Sequence, residues 1–444
     1  MTSPGGAPAE VQRAQRVLTE LGFLDPFGLV VASLHDDPIP ERWRPLVDAV
    51  RDVAANARAL LIASPPKLMV YGSRAQLPRP VTHAESGLVR DRLMLDGGQG
   101  RLDDPAEVRE VARVVAAGKA CLMPGIGVVV AAASIDDALF VLHSLERAAT
   151  ASLAAAALSG RGEPAVPTGG EIAAIDHDRR SGEGVQRVAR RSFFDNFDPG
   201  GSPAVPSLDQ RDARTMVAAS CRVLAVVSGL VEFKEHVSMR DGDAFVMSPA
   251  ASFAAMLPIQ GVRIRFDDEA SWEGAAGAPT RFRFYHRDLL AADVTRGAVV
   301  HTHGIGVDTV MLYGRDVRPS TRLWLPERPL PAVRPSMMFE AHDRAAALAV
   351  WGNGESVHIT AHGTDYFTGD IRRATVAAIH HELAARCEIE GAPLGEPVDL
   401  PAGRIDWLRT HAPATARWWD HYAALADWSG WPDDGGIRRD EEAA

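Results

Sequence analysis

The residues best placed to do chemistry are three histidines in the carboxy-terminal half of the chain. In GAVVHTHG, Gly297 to Gly304, His301 and His303 stand two apart in a β-rich run, so their side chains point to the same face. His362 follows 59 residues after His303, at the end of a second β-rich segment, VHITAHG, and directly before Gly363, where the backbone can turn sharply. Three neutral imidazoles with an open position are a usual ligand set for Zn²⁺, Fe²⁺ or Mn²⁺. A His-x-His pair also fits two unrelated side chains, one satisfied by a backbone carbonyl.

The elements that must position these histidines occur twice. RVLTELGFLDPFGLVVAS, Arg16 to Ser33, lies over RVLAVVSGLVEFKEHVSMR, Arg222 to Arg240, with one inserted residue. CLMPGIGVVVAAASIDDALFVLHSLERAA, Cys121 to Ala149, lies without gaps over VHITAHGTDYFTGDIRRATVAAIHHELAA, Val357 to Ala385, at a constant offset of 236 residues. Ser134 pairs with Asp370, both good helix N-caps, and apolar residues then repeat at helical spacing toward Glu146 and Glu382. In the first copy Ile126 takes the place of His362, and no histidine lies between His35 and His83, where the His-x-His equivalent falls. Loss of the three as a set is what a shared metal predicts.

The chain has 444 residues, 46% hydrophobic and 24% charged, enough for about two to four domains. A net charge of −11 argues against a nucleic-acid surface or an anionic membrane face. Cys121, Cys221 and Cys387 are too few and too scattered for a disulfide framework, which fits a reducing cytoplasm. The start lacks a signal-peptide pattern, and the longest apolar stretch, Ala120 to Ile135, is too short for a membrane span. Residues 161–206 are rich in Pro, Gly and Ser and read as a linker. Beyond 391, a tail with Trp407, Trp418, Trp419, Trp428 and Trp431 predicts a docked helix.

VAASCRVLAVVSGLVEFKEHVSMR, then YHRDLLAADVTRGAVVHTHG, then AHG with a capped helix, resemble the class II aldolase/adducin family over about residues 210–391. Residues 10–160 resemble a second, degenerate copy. The resemblance implies two tandem α/β/α sandwiches around mostly antiparallel sheets: residues 10–160 without metal ligands, 161–206 as linker, 207–391 as the metal-binding catalytic domain and 392–444 as a Trp-rich helical tail. It also implies a metal on His301, His303 and His362, with zinc first and iron or manganese as alternatives. Sites in the family are completed by a neighbouring subunit, so a homodimer is expected.

This chain departs from the sugar-phosphate aldolases at two places. Their Ser-Ser-Glu stretch, whose Glu is the base, becomes TRFRFYH, with Phe282 at the Glu position. Their Gly-Asn-x-Ser phosphate loop becomes Glu235-His236-Val237-Ser238, where a carboxylate would repel a phosphate. The expectation is therefore a metal-dependent lyase, of aldolase or decarboxylase type, acting on a small non-phosphorylated hydroxy or keto carboxylate. Glu235, His236 or Tyr366 would move the proton, while Arg240, Arg283, His286 and Ser238 would contact substrate, the arginines through its carboxylate. Alternatives are a non-haem iron oxygenase of an aromatic hydroxy acid and a non-catalytic, adducin-like scaffold.

Overall fold

The computed structural model describes residues 9–426 apart from 24–27, 36, 83–88, 90–92, 96–103, 118–119, 124–125, 174–211, 229–234, 250–260, 269–270, 275–278, 281, 321–322, 324–329, 334–348, 351–355, 395–398, 404 and 407–414. The chain divides into two compact units. One comprises Met1–Ala156 with Val166–Ser181, the other Ala157–Ala165 with Gly182–Ala444. Most of the expected linker, from 174 onward, lies outside the described residues, as do Trp407, Trp428 and Trp431.

The amino-terminal unit runs α1 (Ala9–Glu20), β1 (Leu29–Val31), α2 (Arg44–Val53), β2 (Ala59–Ala63), α3 (Pro66–Gly72), β3 (Leu93–Leu95), α4 (Pro105–Ala116), β4 (Ala120–Met123), β5 (Gly127–Ala132) and α5 (Ile135–Ala157). Its sheet has the order β1-β2-β5-β4-β3, antiparallel except for the β3–β4 pair. Helix α5 begins where the Ser134 hydroxyl accepts the Asp137 N–H at 3.1 Å, the cap expected from sequence. Alternate strand residues Leu29, Val31, Leu60, Ile62, Cys121, Met123 and Val129 join α2 and α4 in one apolar core.

The carboxy-terminal unit runs α6 (Ala213–Ser228), β6 (His236–Asp241), β7 (Ala244–Met247), β8 (Val262–Arg265), α7 (Arg283–Ala292), β9 (Ala298–Thr302), α8 (Ile305–Met311), β10 (Ala332–Val333), β11 (Ser356–Ile359), β12 (Gly363–Thr368), α9 (Ile371–Gly391) and α10 (Thr415–Leu425). The order β10-β11-β12-β9-β6-β7-β8 is antiparallel throughout except for β10–β11. One face packs Val237, Ala298, Val300 and Tyr366 against α6, α8 and α9; the other packs Val299, Val357 and Phe367 against α7. Layers of helix, sheet and helix result, because strand residues alternate between two apolar faces. Asp370 caps α9 through the Arg372 N–H at 2.9 Å. Helix α10 seats Trp419, 3% exposed, in the same core as α6 and α9.

The central strand pairs of the two units have matching registers. Ala59 to Ala63 pair with Ala132 to Val128, and Ala298 to Thr302 pair with Thr368 to Thr364. Ala120 opposes Val130 and Met123 opposes Gly127; Ser356 opposes Tyr366 and Ile359 opposes Gly363. Buried Glu146 of α5 accepts the N–H groups of Lys67 and Leu68 at the start of α3. Buried Glu382 of α9 accepts those of Gly306 and Val307 at the start of α8, both at 3.1 Å. In each unit a carboxylate from the long helix thus meets the positive end of the short helix that follows a central strand.

Candidate metal centre

His301, the fourth residue of β9, sits at the middle of its sheet: β9 is flanked by β6 and β12, and His236, His301 and Asp365 lie in one row across the three strands. His301 is fully buried, and His303, just past the strand, is 4% exposed. Their Nε2 atoms are 3.1 Å apart. His362 arrives from the β11–β12 hairpin, whose turn residue Ala361 takes φ 57°, a left-handed backbone disfavoured for any residue with a Cβ. Its ring centroid lies 4.7 Å from that of His303 and 5.4 Å from that of His301. One nitrogen from each of the three lies within 4.8 Å of the others. Ligands on bonds of about 2.0–2.1 Å to one tetrahedral cation would be roughly 3.3 Å apart, so small ring movements suffice.

Gly363 makes this approach possible. A Cβ there would lie 2.6 Å from the Thr302 carbonyl oxygen and 3.0 Å from Cε1 and Nε2 of His301. The next turn of the chain is supported in the same way, since a Cβ on Gly304 would meet the Glu382 carboxylate at 2.5 Å.

Two residues that sequence reasoning missed orient His301. Asp365 stands directly across from it on β12, and its Oδ1 lies 2.8 Å from His301 Nδ1. The other carboxylate oxygen accepts the hydroxyl of Tyr285 on α7. A carboxylate only accepts, so the proton sits on Nδ1 and the Nε2 lone pair of His301 faces His303 and His362. These donors fit a divalent cation: imidazole nitrogens converge, and a buried acid offsets part of the charge. Burial, then the charge of Asp365, pushes the Tyr285 phenol well above its ordinary range, which keeps it a donor. The available sequence signal was weak, a single acid two residues after the glycine of AHG.

On the other flank, the His236 ring stacks on His301 at 4.3 Å and 8°. Its Nδ1 lies 2.6 Å from His286 Nε2, and His286 Nδ1 lies 2.6 Å from the Ser238 hydroxyl. All three are buried at 1% or less. His236 Nε2 has no hydrogen-bond partner among the described residues. Burial first, then the neighbouring His301, His286 and His362, holds His236 well below the usual histidine range, so the ring is neutral at pH 7. His286 is lowered likewise, by burial and then His301. Phe282, at the position expected for a catalytic Glu, stacks on His236 at 4.8 Å and stands 6.4 and 6.3 Å from the rings of His301 and His362.

Of the remaining expected site residues, Tyr366, Arg240 and Glu235 are not gathered here. Tyr366 points to the opposite face of β12, where its hydroxyl lies 2.8 Å from His381 Nδ1. Period-two alternation sends it away because its neighbour Asp365 faces His301. Arg240 shares the His236 face but sits four residues along β6. Its guanidinium donates to the carbonyls of Leu290 and Arg296 and lies over Phe266, so it serves the end of α7. Glu235 is buried just before β6, and its charge adds to burial in pushing the Cys221 thiol of α6 up. Ser238 is spent on His286. Arg283, half-buried at the start of α7, lies over Phe284 and Trp272, one residue from Phe282.

In the amino-terminal unit the strand pairings put Leu29, Ile62 and Val129 at the places of His236, His301 and Asp365. The Ser64 hydroxyl donates to the Ile126 carbonyl at 3.0 Å, at the places of His303 and His362. Among the described residues, His301, His303 and His362 are the one group of three or more His, Cys, Asp or Glu residues arranged to hold a metal.

No protein-family model matches the chain. Over 82 residues, 18% of this chain, it is 33% identical to 5-methylthioribulose-1-phosphate/5-deoxyribulose-1-phosphate aldolase of Rhodospirillum rubrum. The match spans about a third of that relative's length, 36%. An aldolase II superfamily protein from Pseudomonas syringae aligns in structure over 50% of this chain and 95% of its own, with 18% identity and a TM-score of 0.43. L-fuculose 1-phosphate aldolase from Glaciozyma antarctica aligns over 49% of this chain and 89% of its own, with 12% identity and a TM-score of 0.41. Over those 82 residues the chain is thus similar to an aldolase.

Proposed function

We propose that the carboxy-terminal unit is a divalent-metal-dependent lyase that cleaves a C–C bond, by aldol cleavage or decarboxylation, in a small non-phosphorylated hydroxy or keto carboxylate. The observation that carries this reading is the convergence of three buried imidazoles, one of them aimed by Asp365. A cation held by His301, His303 and His362, with zinc first and iron or manganese next, would polarise the substrate oxygens beside the bond that breaks.

The chain's own residues do the rest. His236 Nε2 is the group that moves a proton, since it is neutral, beside His301 and uncommitted. His286 and Ser238 fix its orientation. Phe282 walls the site and excludes water where a carboxylate base would otherwise stand. Arg283, at the rim, holds the substrate carboxylate. The absence of a phosphate is supported by His236 and Ser238, which stand at phosphate-loop positions but give their hydrogen bonds to His286.

The same proposal makes residues 10–160 a duplicated copy without ligands, kept for packing. Residues 161–206 are its linker, 207–391 the catalytic domain and 392–444 a helical tail. The equal strand registers, the matched Glu146 and Glu382 caps and the close glycines Gly127 and Gly363 support the duplication. We assign the protein to the cytoplasm as a homodimer, in keeping with three free cysteines and a net charge of −11. No described helix is long and apolar enough to cross a membrane.

Metal analysis of anaerobically purified protein tests the reading, with one equivalent expected in the wild type and none in His303→Ala. A panel of hydroxy and keto acids assayed for C–C cleavage or released CO₂ then locates the reaction. A metal-free wild type from metal-supplemented cells would overturn it. The aromatic wall of Phe282 favours one second reading, an iron oxygenase of an aromatic hydroxy acid, which oxygen uptake by the iron-loaded protein would reveal.

A further inference from the structure

The buried side chains outside the three imidazoles include one group for which the proposed chemistry has no step. Asp365 is fully buried between two donors on different elements, His301 on β9 and Tyr285 on α7. Removing a carboxylate from water costs several kcal/mol unless its lone pairs are satisfied. Here one oxygen meets an imidazole N–H at 2.8 Å and the other a phenol. An apolar residue would close this layer at lower cost, as Val129 does at the matching place in the amino-terminal unit, where Leu46 of α2 is buried in the same core.

We propose that Asp365, anchored by Tyr285, is a positioning residue that selects the Nδ1–H tautomer of His301 and thereby sets the affinity of the three-histidine site for a divalent cation. This inference rests on the metal reading above. The carboxylate keeps the proton on Nδ1, leaves Nε2 as the ligand atom and increases its basicity. An amide at position 365 can turn its NH₂ toward Nδ1, which favours the Nε2–H tautomer and removes the ligand lone pair. Tyr285 contributes by fixing the second oxygen, so that Asp365 cannot rotate away or reach the cation itself.

The test uses the full chain, with Zn²⁺ affinity measured by competition against a chromophoric chelator and the ligand field read from the visible absorption of the Co²⁺ form. Wild type is expected to bind one equivalent. Asp365→Asn is expected to bind roughly 10- to 100-fold more weakly with an altered Co²⁺ spectrum. Tyr285→Phe, which keeps the ring in its place, is expected to weaken binding by a smaller factor, and it carries the test should Asp365→Asn not fold. Arg113→Ala, at an exposed ion pair with Glu110 on α4 of the amino-terminal unit, should leave both readouts unchanged. If wild type binds one equivalent but both variants match it in affinity and spectrum, Asp365 is only structural and the inference fails. If wild type itself binds no cation, the metal reading fails first.

Discussion

Gly363 packs against the carbonyl of Thr302 so closely that a Cβ on the glycine would lie 2.6 Å from that oxygen. The same contact recurs between Gly127 and Ala63, at 2.2 Å. Gly363→Ala must therefore push β12 from β9 or displace His301. Overpacking of this kind costs about 1–3 kcal/mol. We expect a lower denaturation midpoint together with loss of bound cation, measured on the same sample. Full metal occupancy in a folded Gly363→Ala protein would contradict this geometry.

The paired carboxylates separate stability from site assembly. Glu382 holds the first N–H groups of α8, two residues after His303, whereas Glu146 holds those of α3 beside no histidine. Replacing either by Ala leaves buried donors unsatisfied, at about 1–3 kcal/mol. Both variants should unfold at lower denaturant, but only Glu382→Ala should also weaken metal binding. Equal metal affinities in the two would sever the proposed link between the α8 cap and His303.

Glu146 also predicts a pH dependence. Burial pushes its carboxyl up, against the pull of the Lys67 and Leu68 N–H groups and the Lys67 charge. A carboxyl raised on folding contributes stability that is fully present below the ordinary carboxylate range and is lost as pH rises through the raised value. The stability of wild type relative to Glu146→Gln should therefore fall as pH rises above the ordinary carboxylate range, from about pH 4 upward. Denaturant titrations at several pH values measure it, and a difference that grows with pH would show that the hydrogen bonds outweigh burial.

Ile62 stands where the matching strand carries His301, and it is 1% exposed. Ile62→Val should cost about 0.5–1.5 kcal/mol, the ordinary loss of one buried methylene. Ile62→His leaves a polar ring in a hydrocarbon core and should cost about 2–5 kcal/mol. Neither should change the metal content. A gain of cation by Ile62→His would mean that the first unit retains more of a site than its apolar core indicates.

Much of the fold and the three histidines were legible because they obey local rules. A two-residue spacing in a strand, a glycine after the third histidine and helix caps at Ser134 and Asp370 are all visible in short windows of sequence. Asp365 was not, since its meaning comes from Tyr285, 80 residues earlier in the chain. Arg240 was misjudged for a related reason, because the Leu290 and Arg296 carbonyls that occupy it are brought near only by tertiary packing. Tyr366 failed on parity, as the residue next to one that faces the histidines must face away.

The row His236, His301, Asp365 draws one residue from each of three neighbouring strands. A slip of one position in β9 would turn His301 to the other face of the sheet and leave two polar side chains confronting hydrocarbon. Misaligned zipping would strand the buried Asp365 carboxylate without its imidazole partner, so this polar row by itself penalises the wrong strand alignment.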